Sequence, residues 1–103
     1  MDPDRLCAVL DAIPAGRWMS YADVAVVAGR EPVAARMLNQ RLIRHPHPNA
    51  HRVLKSNGTV APTALKDPEG VRSRLEAEGV VFEDGRAAQS ARLRPDGAQA
   101  TTG

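Results

Sequence analysis

The sequence predicts a mainly α-helical domain of the winged helix-turn-helix class, with a small β wing. Two short helical segments between residues 20 and 44 flank a glycine-containing turn, which is typical of a helix-turn-helix. An Asn57-Gly58 pair between short apolar runs predicts a hairpin. The 103 residues, 43% of them hydrophobic, suffice for one domain with a modest core.

Apolar residues at helical spacing predict the first helix at about residues 3–13. Leu6, Leu10 and Ile13 recur at intervals of three and four, so that they share one side of a helix. Pro14-Ala15-Gly16 follows and predicts the end of the helix.

The second and third helices form the predicted helix-turn-helix. Ser20 has the form of an N-cap for a helix over residues 21–28, which Gly29 closes as a C′ residue. Pro32 fits the first turn of the third helix, which continues to about Arg44. This third helix is the more basic of the two and is therefore the expected reader of a nucleic acid.

The remaining elements are short. Two prolines make residues 45–48 an extended linker, and strands at 52–55 and 59–60 form the hairpin wing. A last helix is expected at about 67–78, followed by a short strand at 80–82.

Composition predicts where the folded part ends. The chain after Gly85 is rich in Ala, Gln, Gly and Thr, which predicts disorder. We therefore expect one DNA-binding domain over residues 1–85 and a flexible C-terminal tail over 86–103.

The charges are concentrated in one segment. Residues 30–66 carry seven arginines and lysines against Glu31 alone, a net charge of +6, although the whole chain carries +2. A concentrated basic region is what binding to a polyanion requires, because each neutralised phosphate releases condensed counterions. This pattern favours a nucleic-acid-binding protein and disfavours a pure protein-interaction module.

Other function classes are excluded by composition. Cys7 is the only cysteine, so an internal disulfide and a thiolate metal cluster cannot form, and no metal or cofactor is predicted. Cys7 is expected to be a small buried thiol in the first helix. No apolar run approaches the roughly 18 residues that would span a bilayer, so we expect a monomer in the cytoplasm without membrane association.

Three short motifs, in order, resemble those of a known family. Residues 13–25 read Ile-Pro-Ala-Gly-Arg-Trp-Met-Ser-Tyr-Ala-Asp-Val-Ala, residues 34–36 read Ala-Ala-Arg, and residues 49–53 read Asn-Ala-His-Arg-Val. Together they resemble the C-terminal domain of O6-alkylguanine-DNA alkyltransferases and, more closely, the alkyltransferase-like proteins that lack the nucleophile. The resemblance spans about residues 5–82. It implies binding to double-stranded DNA that contains O6-alkylguanine, extrusion of the damaged nucleotide, and flagging of the lesion for nucleotide excision repair proteins.

The resemblance also assigns roles to residues. Arg36 is the finger that fills the gap left by the extruded nucleotide, and Tyr21 crowds the phosphate beside the target. Trp18 is expected to be a packing residue, and Arg52 to anchor the loop that carries the signature. The DNA-binding residues are expected to be Ser20, Tyr21, Ala22, Arg30, Ala34, Ala35, Arg36, Asn39 and Ser56. The lesion pocket is expected to comprise Tyr21, Ala50, His51 and Thr63.

Ala50 occupies the position of the reactive cysteine in the signature. Alkyl transfer requires a soft, deprotonable nucleophile, and a methyl group cannot serve as one. His51 and Glu78 look like the other members of the family's catalytic relay, left with no thiol to activate. The sequence therefore predicts a binding protein and no enzyme.

Two alternatives stay open at this stage. The first is an active repair enzyme, either a true alkyltransferase or a glycosylase-like protein that uses His51 or Glu78. The second is a winged-helix regulator, which would read a DNA sequence in the major groove.

Overall fold

The computed structural model describes residues 3–28 and 35–94. Its helices and strands, in chain order, are α1 Pro3–Asp11, β1 Met19–Ser20, α2 Tyr21–Val27, α3 Ala35–Arg44, β2 Val53–Leu54, α4 Pro68–Ala77, β3 Phe82–Glu83 and β4 Arg86–Ala87. Single 3₁₀ turns lie at Ala50–Arg52, Ala64–Lys66 and Gln89–Ala91. The domain is thus mainly helical with little sheet, as the sequence predicts. No helix in the ranges 3–28 and 35–94 is long and apolar enough to cross a bilayer.

The helices follow the predicted boundaries closely. Ser20 is the N-cap of α2, and its Oγ accepts a hydrogen bond from the backbone N–H of Asp23 at 3.0 Å. Asp67 caps α4 in the same way, accepting from the N–H of Gly70 at 3.1 Å. The turn and the predicted start of α3 at Pro32 fall among residues 29–34, outside the described residues.

The strands pair differently from the prediction. β2 pairs in parallel with β1, with Met19 opposite Val53 and Ser20 opposite Leu54, so β2 does not form a hairpin ladder with residues 59–60. Thr59 instead bridges to Arg86. Both residues of β1 and both residues of β2 are buried. Buried backbone groups need hydrogen-bond partners, and these two strands supply them to each other.

A tight turn nevertheless exists where Asn57-Gly58 predicts one. The Gly58 N–H donates to the Lys55 carbonyl oxygen at 2.8 Å, and the Lys55 N–H donates to the Thr59 carbonyl oxygen at 3.0 Å. Gly58 has φ +85°, a conformation that favours glycine. The sequence therefore locates the turn correctly but not the strands that it joins.

Two apolar clusters fill the interior. The first joins α1, α2 and α3 and comprises Leu6, Val9, Leu10, Ile13, Met19, Val24, Ala28, Leu38, Leu42, Ala50 and Val53. The second surrounds Trp18 beneath α4 and comprises Trp18, Leu54, Ala64, Val71, Leu75, Val80 and Ala87. Trp18 is fully buried, which confirms its expected packing role.

The expectation of a buried Cys7 is wrong, because this residue is exposed. The core side of α1 is occupied by Leu6 and Leu10, which lie four residues apart on one side of the helix. Position 7 lies away from that side and meets solvent.

The folded unit also extends beyond the predicted boundary at residue 85. β4 pairs with β3 and buries Ala87, and the Trp18 indole N–H donates to the Ala88 carbonyl oxygen at 3.1 Å. The backbone of Trp18 exchanges two further hydrogen bonds with this segment, from its N–H to Ala91 at 3.1 Å and to its carbonyl oxygen from Leu93 at 2.7 Å. The expectation of a flexible tail is therefore wrong for residues 86–94. These residues have few hydrophobic side chains, which predicted disorder, but their backbone hydrogen bonds to β3 and to Trp18 hold them in place. Residues 95–103 lie outside the described residues.

Candidate nucleic-acid interface

α3 presents a polar side to solvent opposite its core side. Leu38 and Leu42 are buried, whereas Arg36, Gln40 and Arg44 are exposed at four-residue spacing. Residues four apart lie above one another on a helix, so these three form one stripe. This stripe is the side of α3 that a nucleic acid can meet.

A cavity of about 340 Å³ opens at the N-terminal half of α3. We name it the Tyr21 cavity; its lining residues are Tyr21, Ala35, Arg36, Asn39, Lys55, Ala61, Pro62 and Thr63. The volume falls in the range of roughly 300 to 1,000 Å³ that is usual for small-molecule sites. Two cations and no carboxylate line it, so it suits an electron-rich or anionic group.

Tyr21 contributes a neutral hydroxyl to this cavity. Burial disfavours the phenolate, and it therefore raises the pKa of Tyr21 above 10.0. The phenol stays protonated at neutral pH and can donate a hydrogen bond.

Asn39 forms the wall of the cavity through three hydrogen bonds. Its Nδ2 donates to the Thr63 carbonyl oxygen at 2.8 Å and to Thr63 Oγ1 at 3.3 Å, and its Oδ1 accepts from the Leu65 N–H at 2.9 Å. Leu65 and Lys66 have φ +50° and +58°, which side-chain-bearing residues rarely adopt. Asn39 therefore holds the turn at residues 63–66 against α3, and its predicted contact with DNA stays a prediction.

Ala50 and His51 are buried and do not line the Tyr21 cavity. His51 Nε2 lies 2.8 Å from Glu78 Oε2. Arg52 donates to both oxygens of the same carboxylate, from Nε at 3.0 Å and from Nη2 at 2.7 Å, and also to the Ile13 carbonyl oxygen at 2.7 Å. These contacts confirm that Arg52 anchors the loop around Ala50.

The Glu78 carboxylate stays charged in this network. Partial burial by itself raises the pKa of Glu78, but hydrogen bonds and positive charge from Arg52 and His51 outweigh it and lower the pKa to about 2. A carboxylate can only accept, so His51 Nε2 is the donor of their hydrogen bond. His51 Nδ1 has no partner among the described residues.

The network can position the loop, but it contains no group that could accept an alkyl group from DNA in the manner of a thiolate. Ala50 ends in a methyl group, and Cys7 lies on α1. Within residues 3–28 and 35–94, no group of three or more His, Cys, Asp or Glu side chains could hold a metal ion.

The other predicted DNA-binding residues occupy varied positions. Ser20 is fully buried and its hydroxyl caps α2, so we leave this side chain out of the proposed contacts. Ala22 is half-buried, and Ser56 is exposed at the Asn57-Gly58 turn. Arg30 and Ala34 lie outside the described residues. Sequence reasoning missed Ala61 and Pro62 as lining residues, because nothing in their type or spacing distinguishes them from an ordinary loop.

The sequence also matches known proteins. Residues 3–80 match the family model described as "6-O-methylguanine DNA methyltransferase, DNA binding domain". A protein of Escherichia coli (strain K12) named DNA base-flipping protein is 39% identical over 82 residues, which cover 77% of this chain and 62% of that protein. A protein of the same name from Shigella flexneri gives the same values. The chain thus spans about three fifths of the length of these curated relatives.

Two solved structures have a similar fold. The crystal structure of S. pombe Atl1 in complex with damaged DNA containing O6-carboxymethylguanine aligns with a TM-score of 0.67 at 27% identity. A structure of S. pombe ATL in complex with DNA aligns with a TM-score of 0.62, also at 27% identity. Each alignment covers 92% of this chain and 100% of the other.

Proposed function

The chain belongs to the 6-O-methylguanine DNA methyltransferase DNA-binding domain family, and from this membership we propose that it binds O6-alkylguanine in double-stranded DNA by nucleotide flipping, without alkyl transfer. The observation that carries the proposal is the Tyr21 cavity beside the exposed Arg36 on α3. The names of the base-flipping relatives and the damaged-DNA complex of Atl1 support it.

Arg36 is the residue that takes the place of the extruded nucleotide. Extrusion costs a few kcal/mol of stacking and pairing, and a planar cation in the gap can stack and contact the orphaned base. The Arg36 side chain is exposed, and the structure gives it no hydrogen bond or ion pair with another described residue, so no such contact has to break for it to enter DNA. Ala35 beside it is small, which lets the helix backbone approach the groove.

The Tyr21 cavity receives the extruded purine. Tyr21 and Thr63 offer hydroxyl groups to it, and Lys55 offers a positive charge to the adjacent backbone. Ala22 and Ser56 complete the proposed contacts with DNA, together with Arg30 and Ala34 in the segment outside the described residues. The Asn57-Gly58 turn serves as the wing.

In this proposal the protein is not an enzyme, because Ala50 stands at the position of the nucleophilic cysteine. His51, Arg52 and Glu78 then form a structural network that shapes the loop. Incubation with duplex DNA carrying radiolabelled O6-methylguanine tests this point: the label is expected to stay on an intact base in DNA. Label on the protein would identify an alkyltransferase, and release of the base would identify a glycosylase.

Equilibrium binding to matched duplexes with and without O6-methylguanine tests recognition. The wild type is expected to prefer the modified duplex, and Arg36→Ala is expected to reduce that preference about tenfold, equivalent to about 1.4 kcal/mol. Arg74→Ala is the matched control, because Arg74 is exposed on α4 and lines neither the Tyr21 cavity nor the stripe on α3. Equal loss of affinity for both duplexes in Arg36→Ala would contradict the finger assignment.

We propose further that the bound lesion is passed to nucleotide excision repair proteins, in keeping with a binding protein that leaves the damage in place. Excision from a plasmid with one O6-alkylguanine, by a repair-competent extract, is expected to rise when the protein is added. Arg36→Ala should give a smaller rise.

A further inference from the structure

We propose that a second cavity on α3 binds a phosphodiester of the DNA backbone, and that Arg44 and Lys66 neutralise its charge. This inference rests on the proposed function, because it requires that α3 lies on DNA. It adds a defined backbone site to the lesion site at the other end of the helix.

The second cavity has a volume of about 560 Å³ and lies between the C-terminal half of α3 and the turn at residues 63–66. We name it the Lys66 cavity; it is lined by Asn39, Gln40, Ile43, Arg44, Thr63 and Lys66. Two cations and the Gln40 side-chain amide line it without a carboxylate, whereas the Asn39 amide is already bonded to Thr63 and Leu65. Such a set of donors fits a phosphate group.

Arg44 and Lys66 are available to an anion. Both side chains are exposed, and neither makes a hydrogen bond or ion pair with any other residue that the structure describes. Arg52 and Arg92 differ, because each is paired with a carboxylate, Glu78 and Asp23 respectively. Two cations that line one concavity, neither with a carboxylate partner among the described residues, favour a bound anion.

The backbone of the turn holds Lys66 on this wall. Lys66 has φ +58°, and its N–H donates to the Thr63 carbonyl oxygen at 3.1 Å. The Asn39 side chain fixes the preceding residue by accepting from the Leu65 N–H at 2.9 Å. Residues held in this sparsely populated region persist where several contacts determine them, and they are found at ligand sites.

The position along α3 identifies the anion as a backbone phosphate. Arg44 follows Arg36 by eight residues, and an α-helix rises 1.5 Å per residue, so the two lie about 12 Å apart along the axis. The motif resemblance implies that Arg36 enters the minor groove, which is about 6 Å wide in B-DNA. When α3 crosses the groove with Arg36 inside it, the Lys66 cavity lies over the sugar–phosphate backbone at the groove edge. Asn39 and Thr63 form the wall shared by both cavities.

A scan with neutral phosphates tests the inference. One phosphate at a time in an O6-methylguanine duplex is replaced by methylphosphonate, and affinity is measured for the wild type and for Arg44→Ala/Lys66→Ala. At one or two adjacent positions the wild type is expected to lose about three- to tenfold in affinity, and the double variant less than twofold. The double variant should also bind lesion and plain duplexes more weakly by a similar factor, with a log-log salt slope shallower by about 1 to 2.

Arg74→Ala/Arg86→Ala controls for net charge, because both arginines are exposed and line neither cavity. It should keep the full sensitivity to the same methylphosphonate, as should Arg44→Lys/Lys66→Arg, which keeps both charges in place. If every replacement affects the wild type and the Arg44→Ala/Lys66→Ala variant equally, the phosphate site is overturned. The proposed function fails separately, if the wild type does not prefer the lesion duplex.

Discussion

Glu78 is held by two neighbouring side chains, His51 and Arg52. The motif resemblance assigns His51 and Glu78 to a relay that activates a thiolate, and the structure confirms their contact at 2.8 Å. Arg52 adds two hydrogen bonds to the same carboxylate. With alanine at position 50, these bonds tie the loop to the end of α4, which is a structural role.

Glu78→Gln should therefore lower the free energy of unfolding. The variant keeps the shape of the side chain but replaces the carboxylate, which accepts hydrogen bonds from Arg52 and His51, with a neutral amide. The free energy of unfolding should fall by about 1 to 3 kcal/mol. Urea unfolding measures the change. Glu76→Gln is the matched control on the same helix, since its exposed pair with Arg72 at 3.5 Å should contribute well under about 1 kcal/mol. Equal effects of the two substitutions would contradict the structural role of Glu78.

The same carboxylate makes stability depend on acidity in a defined pH range. The folded state lowers the pKa of Glu78 from 4.5 to about 2, so the folded state favours the charged form. This contribution is complete above pH 4.5 and is lost as the pH falls from 4.5 to about 2. The stability difference between wild type and Glu78→Gln should shrink over that range. A difference that stays constant down to pH 2 would contradict the lowered pKa.

At the scale of elements, local sequence signals predict the helices, but they do not predict pairing between strands that are distant in sequence. The cap at Ser20 is visible in the sequence because capping joins residues only three apart. The parallel pairing of β1 with β2 joins residues more than thirty positions apart, and no local pattern specifies it. For the same reason the sequence misses the contact of Trp18 with residues 88–93.

Substitution of Gly58 tests whether the Asn57-Gly58 turn packs closely against the backbone of β4. A Cβ at Gly58 would lie 2.7 Å from the Ala87 carbonyl oxygen, at φ +85°. Gly58→Ala should thus destabilise the fold by more than about 2 kcal/mol, from backbone strain plus a clash. Gly85 also has a positive φ, +75°, but a Cβ added there would have no neighbouring heavy atom within 4 Å. Gly85→Ala should therefore lower the free energy of unfolding by only about 1 kcal/mol, from backbone strain alone. Equal losses in the two variants would contradict the close contact.

At the scale of the whole molecule, the site is assembled from segments distant in sequence. The resemblance predicts Tyr21, Arg36 and Thr63, and one cavity brings all three together. Ala50 and His51, placed in the same pocket by analogy, are buried instead. The Lys66 cavity could not be predicted, because it depends on a turn with two positive φ angles next to α3. The basic segment of residues 30–66 is thus enough to indicate a nucleic acid as the binding partner, whereas the positions of the two cavities follow only from the folded structure.

Residues 86–94 should be required for stability of the whole unit, although the family match ends at residue 80. A chain ending at Gly85 loses β4, the buried Ala87 and the Arg92 to Asp23 ion pair at 3.1 Å. Against a reference chain ending at Arg94, its melting temperature should fall by about 10 °C or more, the effect of roughly 2 kcal/mol in a domain of this size. Unchanged melting would show that this segment is dispensable.

In the proposed complex the damaged nucleotide leaves the DNA stack and enters the Tyr21 cavity. A crystal structure of the protein with a duplex containing one O6-methylguanine tests it most directly. The modified base is expected between Tyr21 and Thr63 with its methyl group intact, and the Arg36 guanidinium in the gap. A modified base that stays paired inside the double helix, with Arg36 outside the groove, would contradict it.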